Sequence, residues 1–142
     1  MTKLSVIVPC YYNEGNIPVT SKELIANENL FPEEVNFEYV MVDDGSKDGT
    51  YQSLLRFKDE YPDKVKVVKL VSNVGSYNAI VAGMEVATGD CNVVITADLQ
   101  DPPSLMVKMY EHWKKGQKLE DPRYCYFLLQ PMCSNYDMFL EY

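Results

Sequence analysis

Four short β-branched runs, each followed by a stretch with helical spacing, constrain this chain more than any other feature of its sequence. The runs occupy residues 4–8, 37–42, 65–71 and 92–96. Alternation of this kind places crossover helices between parallel strands, so an α/β sheet flanked by helices is expected. The first, second and fourth runs are mostly apolar, as strands covered on both faces should be. The third interleaves Lys66 and Lys69 with valines and is expected at an edge.

The intervening segments carry the helical period. Tyr51, Leu54, Leu55 and Phe57 mark a helix that Pro62 ends, and Ala79, Ile80, Ala82, Gly83, Met84 and Ala87 mark another, expected to close at Gly89. Leu105, Met109 and Trp113 repeat at i, i+4, i+8 after Pro102 and Pro103, with Gly116 as the cap. A further helix between Asn16 and Asn29 rests on a thin apolar stripe around Leu24 and Ile25.

With 142 residues, 46% of them hydrophobic, one domain can bury its core without disulfide or metal staples. The 13 basic against 21 acidic residues give a net charge of −8, which repels phosphate backbones and argues against nucleic acid as a partner. Cysteines at 10, 91, 125 and 133 form no C-x-x-C pair, so separate reduced thiols are expected. No apolar run approaches the roughly 20 residues of a membrane span, and the first strand opens at Lys3, leaving no room for a signal sequence. A cytoplasmic location, which includes the inner face of the membrane, follows as the expectation. After about Leu119 the rhythm stops, and residues 120–142 form an aromatic-rich tail holding two of the cysteines.

In an open parallel sheet the site lies beyond the carboxyl ends of the strands, where strand order reverses. After the four runs come Pro9-Cys10-Tyr11-Tyr12-Asn13-Glu14, Asp43-Asp44-Gly45-Ser46, Ser72-Asn73-Val74-Gly75 and Asp98-Leu99-Gln100-Asp101-Pro102-Pro103. Asp43 and Asp44 taken alone also fit a turn that caps the next helix. Asp98, at the end of an apolar strand, would be partly desolvated without a cation or donor. Asp and Gln are hard oxygen ligands that suit Mg2+ or Mn2+, and such an ion can hold diphosphate oxygens at the same time. No G-x-x-x-x-G-K-[ST] loop, G-x-G-x-x-G or G-x-S-x-G elbow occurs, which removes Walker-type ATPases, dinucleotide dehydrogenases and serine hydrolases. His112, beside Lys114 and Lys115, reads as a surface residue.

These four loop segments, in this order and one βα unit apart, resemble the nucleotide-sugar-binding half of a family 2 glycosyltransferase with the GT-A fold. The resemblance covers residues from about 3 to 119. The last segment is most similar to the branch of dolichol-phosphate mannose synthases and bacterial polyprenyl-phosphate glucosyltransferases, where the loop reads D-x-D-x-Q. Here Thr96 stands in place of the first acid, while Asp98 and Gln100 remain. The resemblance implies a Rossmann-like, mostly parallel sheet of order 3-2-1-4. It implies that Asp98 and Gln100 hold Mg2+ or Mn2+ against the diphosphate, that Pro9, Tyr11 and Asp44 line the base and ribose pocket, and that Asp43 supports that loop. Gly75 belongs to the same nucleotide-binding set. The family's Tyr-Asn-Glu is here Tyr11-Tyr12-Asn13-Glu14, which leaves either Asn13 or Glu14 in the glutamate's place. Ser72 lies where this branch often has an arginine.

The implied activity is transfer of a sugar from a UDP- or GDP-linked donor to polyprenyl phosphate or a growing glycan. In the family the acceptor side and the catalytic carboxylate follow the metal loop, in a part that would start near Lys118. Glu120-Asp121 mimics the acidic pair sought there, but its surroundings match nothing in the family, so no catalytic residue is assigned. The expectation is a donor-binding subdomain over residues 1–119, truncated before a complete acceptor site.

Three other classes fit less well. A receiver domain needs an acidic pair where Pro9 and Cys10 stand and a lysine after a fifth strand. A sugar-1-phosphate nucleotidyltransferase needs a basic, glycine-rich first loop. A non-catalytic nucleotide-sugar-binding module differs only in lacking turnover.

Overall fold

The computed structural model describes residues 1–116. The tail at 120–142, with Glu120, Asp121, Cys125 and Cys133, lies outside the described residues. Strand β1 (Thr2–Cys10) leads to α1 (Ile17–Asn27), followed by a single 3-10 turn, and β2 (Val35–Asp43) leads to α2 (Thr50–Glu60). Then come β3 (Val65–Lys69), α3 (Ser76–Val86), β4 (Cys91–Val94) and α4 (Leu105–Lys114). The strands are all parallel in the order β3-β2-β1-β4, which is the order the resemblance implies.

Strand alternation divides the core into two layers. Leu4, Val6, Val8 and Cys10 of β1 join Leu24, Leu54, Phe57, Met106 and Met109 on one face, while Ile7, Val40 and Val42 meet Ala79 of α3 on the other. Close approach of α3 depends on Gly83: a Cβ there would lie 2.6 Å from Ile7 Cγ2 and 3.0 Å from Val42 Cγ2. As expected, β3 is an edge strand, half-buried along most of its length.

Two element ends differ from the sequence reading. The third helix stops at Val86, where Ala87 turns extended, and Gly89 serves instead to bring its N–H to Ser5 Oγ at 2.9 Å. The fourth strand ends at Val94 rather than Thr96. One more ladder bond follows, Ile95 N–H to Ile7 O, and then Thr96 O accepts Leu99 N–H in a turn that needs Leu99 at φ 53°.

At the opposite end of the sheet from the candidate site, the buried Glu38 ties three strands together. Its Oε2 accepts from Ser5 Oγ (2.7 Å) and Thr88 N–H (2.8 Å), and its Oε1 accepts from Thr88 Oγ1 (2.8 Å), Lys66 Nζ (2.7 Å) and Lys3 Nζ (3.0 Å). Burial pushes this carboxyl up, but the bonds from Lys66, Thr88 and Ser5 outweigh it and hold the value at about 2, below the ordinary 4.5. A depressed folded value adds stability above the unfolded pKa, lost as pH falls through the folded one. Urea midpoints measured from pH 6 to 2.5 are therefore expected to fall below about pH 4.5, and less steeply in Glu38→Gln.

Cys10 and Cys91 are buried and free, and burial pushes both thiols up, Cys91 to about 12. No helix among the described residues is long and apolar enough to cross a membrane.

Candidate functional site

Strand order reverses between β1 and β4, and a cavity of about 290 Å³ opens there beyond the strand ends. All four βα loops contribute: Pro9, Cys10, Tyr11 and Asn13 after β1, Asp44 after β2, Asn73, Gly75 and Ser76 at the start of α3, and Thr96, Ala97, Asp98 and Gln100 after β4.

Asp44 organises the floor. It is 2% exposed, and its Oδ1 accepts from Val74 N–H at 2.8 Å while Oδ2 accepts from Gly75 N–H and Asn73 Nδ2, both at 3.0 Å. One carboxylate thus gathers three donors by folding the 73–75 loop around it. The neighbouring Gly45 makes this possible at φ 72°, because a Cβ there would lie 2.4 Å from Ser72 C and 2.5 Å from Asn73 N. Any side chain would force apart the backbones of two loops.

Asp43 and Asp44 are adjacent at a strand end and therefore point to different sides. Asp43 is fully buried outside the cavity; its Oδ1 accepts Ser46 N–H at 3.1 Å, shaping the turn, and Oδ2 is buried with no partner. After β1, the extra tyrosine is absorbed by Tyr12 at φ 52°, whose N–H donates to Ser46 Oγ at 3.0 Å. The result puts Asn13 on the cavity wall, its Oδ1 accepting Tyr11 N–H at 2.7 Å. Glu14 lies outside it, where Oε2 accepts Gly49 N–H (3.0 Å) at the start of α2. The Tyr11 and Tyr12 rings meet edge to face with centroids 4.6 Å apart.

The β4 loop is anchored from α1, since Thr20 Oγ1 donates to Ala97 O at 2.6 Å. Asp98 is not desolvated as its place after an apolar strand suggested. The strand ends four residues earlier, the turn at Leu99 lifts the carboxylate into solvent, and Gln100 Nε2 donates to Asp98 Oδ2 at 2.9 Å. Thr96 Oγ1, by contrast, is buried beside the cavity without a hydrogen-bond partner.

Pro9, Tyr11, Asn13, Asp44, Gly75, Asp98 and Gln100 are thus brought to one cavity, whereas Asp43 and Glu14 are not. Asn73, Ser76 and Thr96 join them unforeseen as site residues. Asn73 shares a loop with Gly75, a signal that was available in the sequence.

The oxygens of Asp98, Gln100 and Thr96 are hard donors of the type Mg2+ and Mn2+ prefer. Among the described residues no group of three or more His, Cys, Asp or Glu is placed to hold a metal ion, and Asp44 is already engaged by three hydrogen-bond donors. These residues fit an ion that keeps several waters or borrows phosphate oxygens, and not one enclosed by protein.

The sequence family described as "Glycosyl transferase family 2" matches residues 5–126. An uncharacterized glycosyltransferase of Bacillus subtilis (strain 168), YkcC, is 40% identical over 115 residues, covering 81% of this chain and 35% of the relative. A dolichol-phosphate mannosyltransferase of Pyrococcus furiosus is 35% identical over 117 residues, covering 82% of this chain and 32% of the relative. Among solved structures, S. aureus TarS 1–349 in complex with UDP-GlcNAc matches with a TM-score of 0.54 and 32% identity, over 68% of this chain and 26% of that one. This chain spans about a third of the length of the curated relatives it matches. The chain has the four-stranded parallel order 3-2-1-4 flanked by helices, and it matches part of the fold of GT-A glycosyltransferases. By matched length and by strand order, the chain belongs to glycosyltransferase family 2.

Proposed function

We propose that the cavity binds the nucleoside diphosphate of a UDP- or GDP-linked sugar, as the donor half of a glycosyltransferase acting on polyprenyl phosphate or a growing glycan. The observation that carries this reading is the convergence of Pro9, Tyr11 and Asp44 with Asp98 and Gln100 on facing loops of one cavity at the strand-order reversal. Tyr11 offers a half-exposed ring to a base, and the amino end of α3 at Gly75 and Ser76 gives a positive potential to an anion. UDP-GlcNAc in TarS and the name of the Pyrococcus relative support donor and acceptor class respectively.

The reaction is displacement at the anomeric carbon with a nucleoside diphosphate as leaving group, and an acceptor phosphate attacks directly or an acceptor hydroxyl through a general base. Asp98 and Gln100 would hold Mg2+ or Mn2+, which when bound offsets charge on the departing diphosphate. This chain is proposed as the donor-binding half, without a complete acceptor site.

Titration calorimetry with UDP and GDP in Mn2+ tests the reading. Asp98→Ala is expected to weaken nucleotide binding at least roughly tenfold with an unchanged melting temperature, since Asp98 is exposed. Equal affinity of the variant removes the role given to Asp98, and rapid sugar transfer by the 142-residue chain overturns the donor-only assignment.

A further inference from the structure

We infer that Thr20 is a positioning residue of this site: from α1, its hydroxyl fixes the peptide that joins Ala97 to Asp98, and so sets the direction in which Asp98 leaves the β4 loop. The inference rests on the nucleotide reading above and adds to it a residue outside the cavity lining.

The buried stripe of α1 consists of Ile17, Thr20, Leu24 and Asn27. Thr20 is 0% exposed, at a position where an aliphatic side chain would pack as well. A threonine inside a helix can return its hydroxyl to the carbonyl one turn back. Here the hydroxyl donates instead to Ala97 O at 2.6 Å, across 77 positions of sequence.

That bond falls where the β4 loop lacks another constraint. Leu99 N–H donates to Thr96 O at 3.1 Å and closes a turn with Ala97 and Asp98 at its centre. The closing bond does not hold the central peptide, whose rotation converts one β-turn type into another. Asp98 lies outside the left-handed region, and such a rotation would carry it to positive φ. Aspartate tolerates that conformation better than most residues, so its own backbone offers little resistance. Because the peptide is planar, a bond to Ala97 O also orients the N–H and Cα of Asp98.

The same helix holds the other wall. Asn13, which lines the cavity, has its carbonyl oxygen bonded by Asn16 N–H at 2.9 Å and Ile17 N–H at 3.1 Å. The first turns of α1 therefore tie the 9–13 loop to the 96–100 loop, and Thr20 carries the second tie.

The test compares Thr20→Val, which keeps the shape and removes the donor, with Thr20→Ser, which keeps the donor. Calorimetry with UDP or GDP in Mn2+ measures the whole ligand, and 1H–15N spectra follow binding of uridine or guanosine, which lack the diphosphate. Thr20→Val is expected to lose about tenfold in nucleotide affinity while nucleoside affinity stays within about twofold. Its Asp98 and Leu99 amide resonances should shift. In Thr20→Ser those resonances return towards the parent's, and nucleotide affinity recovers to within about threefold. Thr20→Ala supplies a second variant without the donor, held to the same expectations. Parent-like nucleotide affinity in the variants without the donor, equal losses for nucleotide and nucleoside, or no recovery in Thr20→Ser overturns the inference and leaves the nucleotide pocket standing. A parent chain that binds neither ligand overturns the pocket and the inference with it.

Discussion

Asp44→Asn is expected to weaken UDP or GDP binding in Mn2+ by about 100-fold, close to 3 kcal/mol, while far-UV circular dichroism stays that of the parent. The amide keeps the size of the carboxylate but turns one acceptor into a donor. That donor must face the N–H of Val74 or the N–H and Nδ2 donors of Gly75 and Asn73. The 73–75 loop can then no longer close on residue 44, and the floor of the cavity shifts by more than a ligand contact tolerates. Asp44→Ala leaves the same donors without any partner and should do at least as much harm. Calorimetric affinity equal to the parent's would remove Asp44 from the site.

The second large effect concerns folding. Glu38→Leu is expected to destabilise the chain by about 4 kcal/mol, lowering the melting temperature by roughly 10 °C or more. Leucine suits the β2 run but leaves Ser5 Oγ and the Thr88 N–H without their acceptor and Lys3 and Lys66 without their counter-charge. Both lysines are about 40% exposed and can turn to water, so most of the cost falls on the buried Ser5 hydroxyl, on the part-buried Thr88 N–H and on the lost link to β3. Thermal unfolding of Glu38→Leu beside Glu38→Gln checks this, with the amide expected to retain part of the network. A melting temperature unchanged in Glu38→Leu would show that the network contributes nothing to folding.

The sheet was legible because its information is local. β-branched runs and helical spacing name the elements, and interleaved Lys66 and Lys69 mark β3 as the edge. What escaped depends on partners distant in sequence. Glu38 sits in an apolar run like any tolerated exception, and only the pairing of Ser5 with Glu38 and the approach of Thr88 reveal its part. Asp98 was misread because Ile95, Thr96 and Ala97 read as a continuation of the strand, whereas the ladder pairing ends at Val94 and a turn at Ala97 and Asp98 follows. Within the site, motif spacing alone led to the Asp43-Asp44 pair, and only the resemblance gave Asp44 the pocket and Asp43 the support of its loop. Strand alternation separates them, and which of the two faces the cavity follows from where α3 lies.

The two walls of the cavity belong to β1 and β4, strands that pair in register from Leu4↔Cys91 to Ile7↔Val94 although most of the described chain lies between them. Pairing so remote in sequence carries a larger loop-closure cost than the local β1–α1–β2 contacts. β4 is also short, with four residues and β1 as its one neighbour in the described sheet. A ligand that touches both the 9–13 and 96–100 loops therefore rewards completion of the sheet. Binding of any such ligand would add to the stability of the folded chain by an amount that grows with its concentration over its dissociation constant.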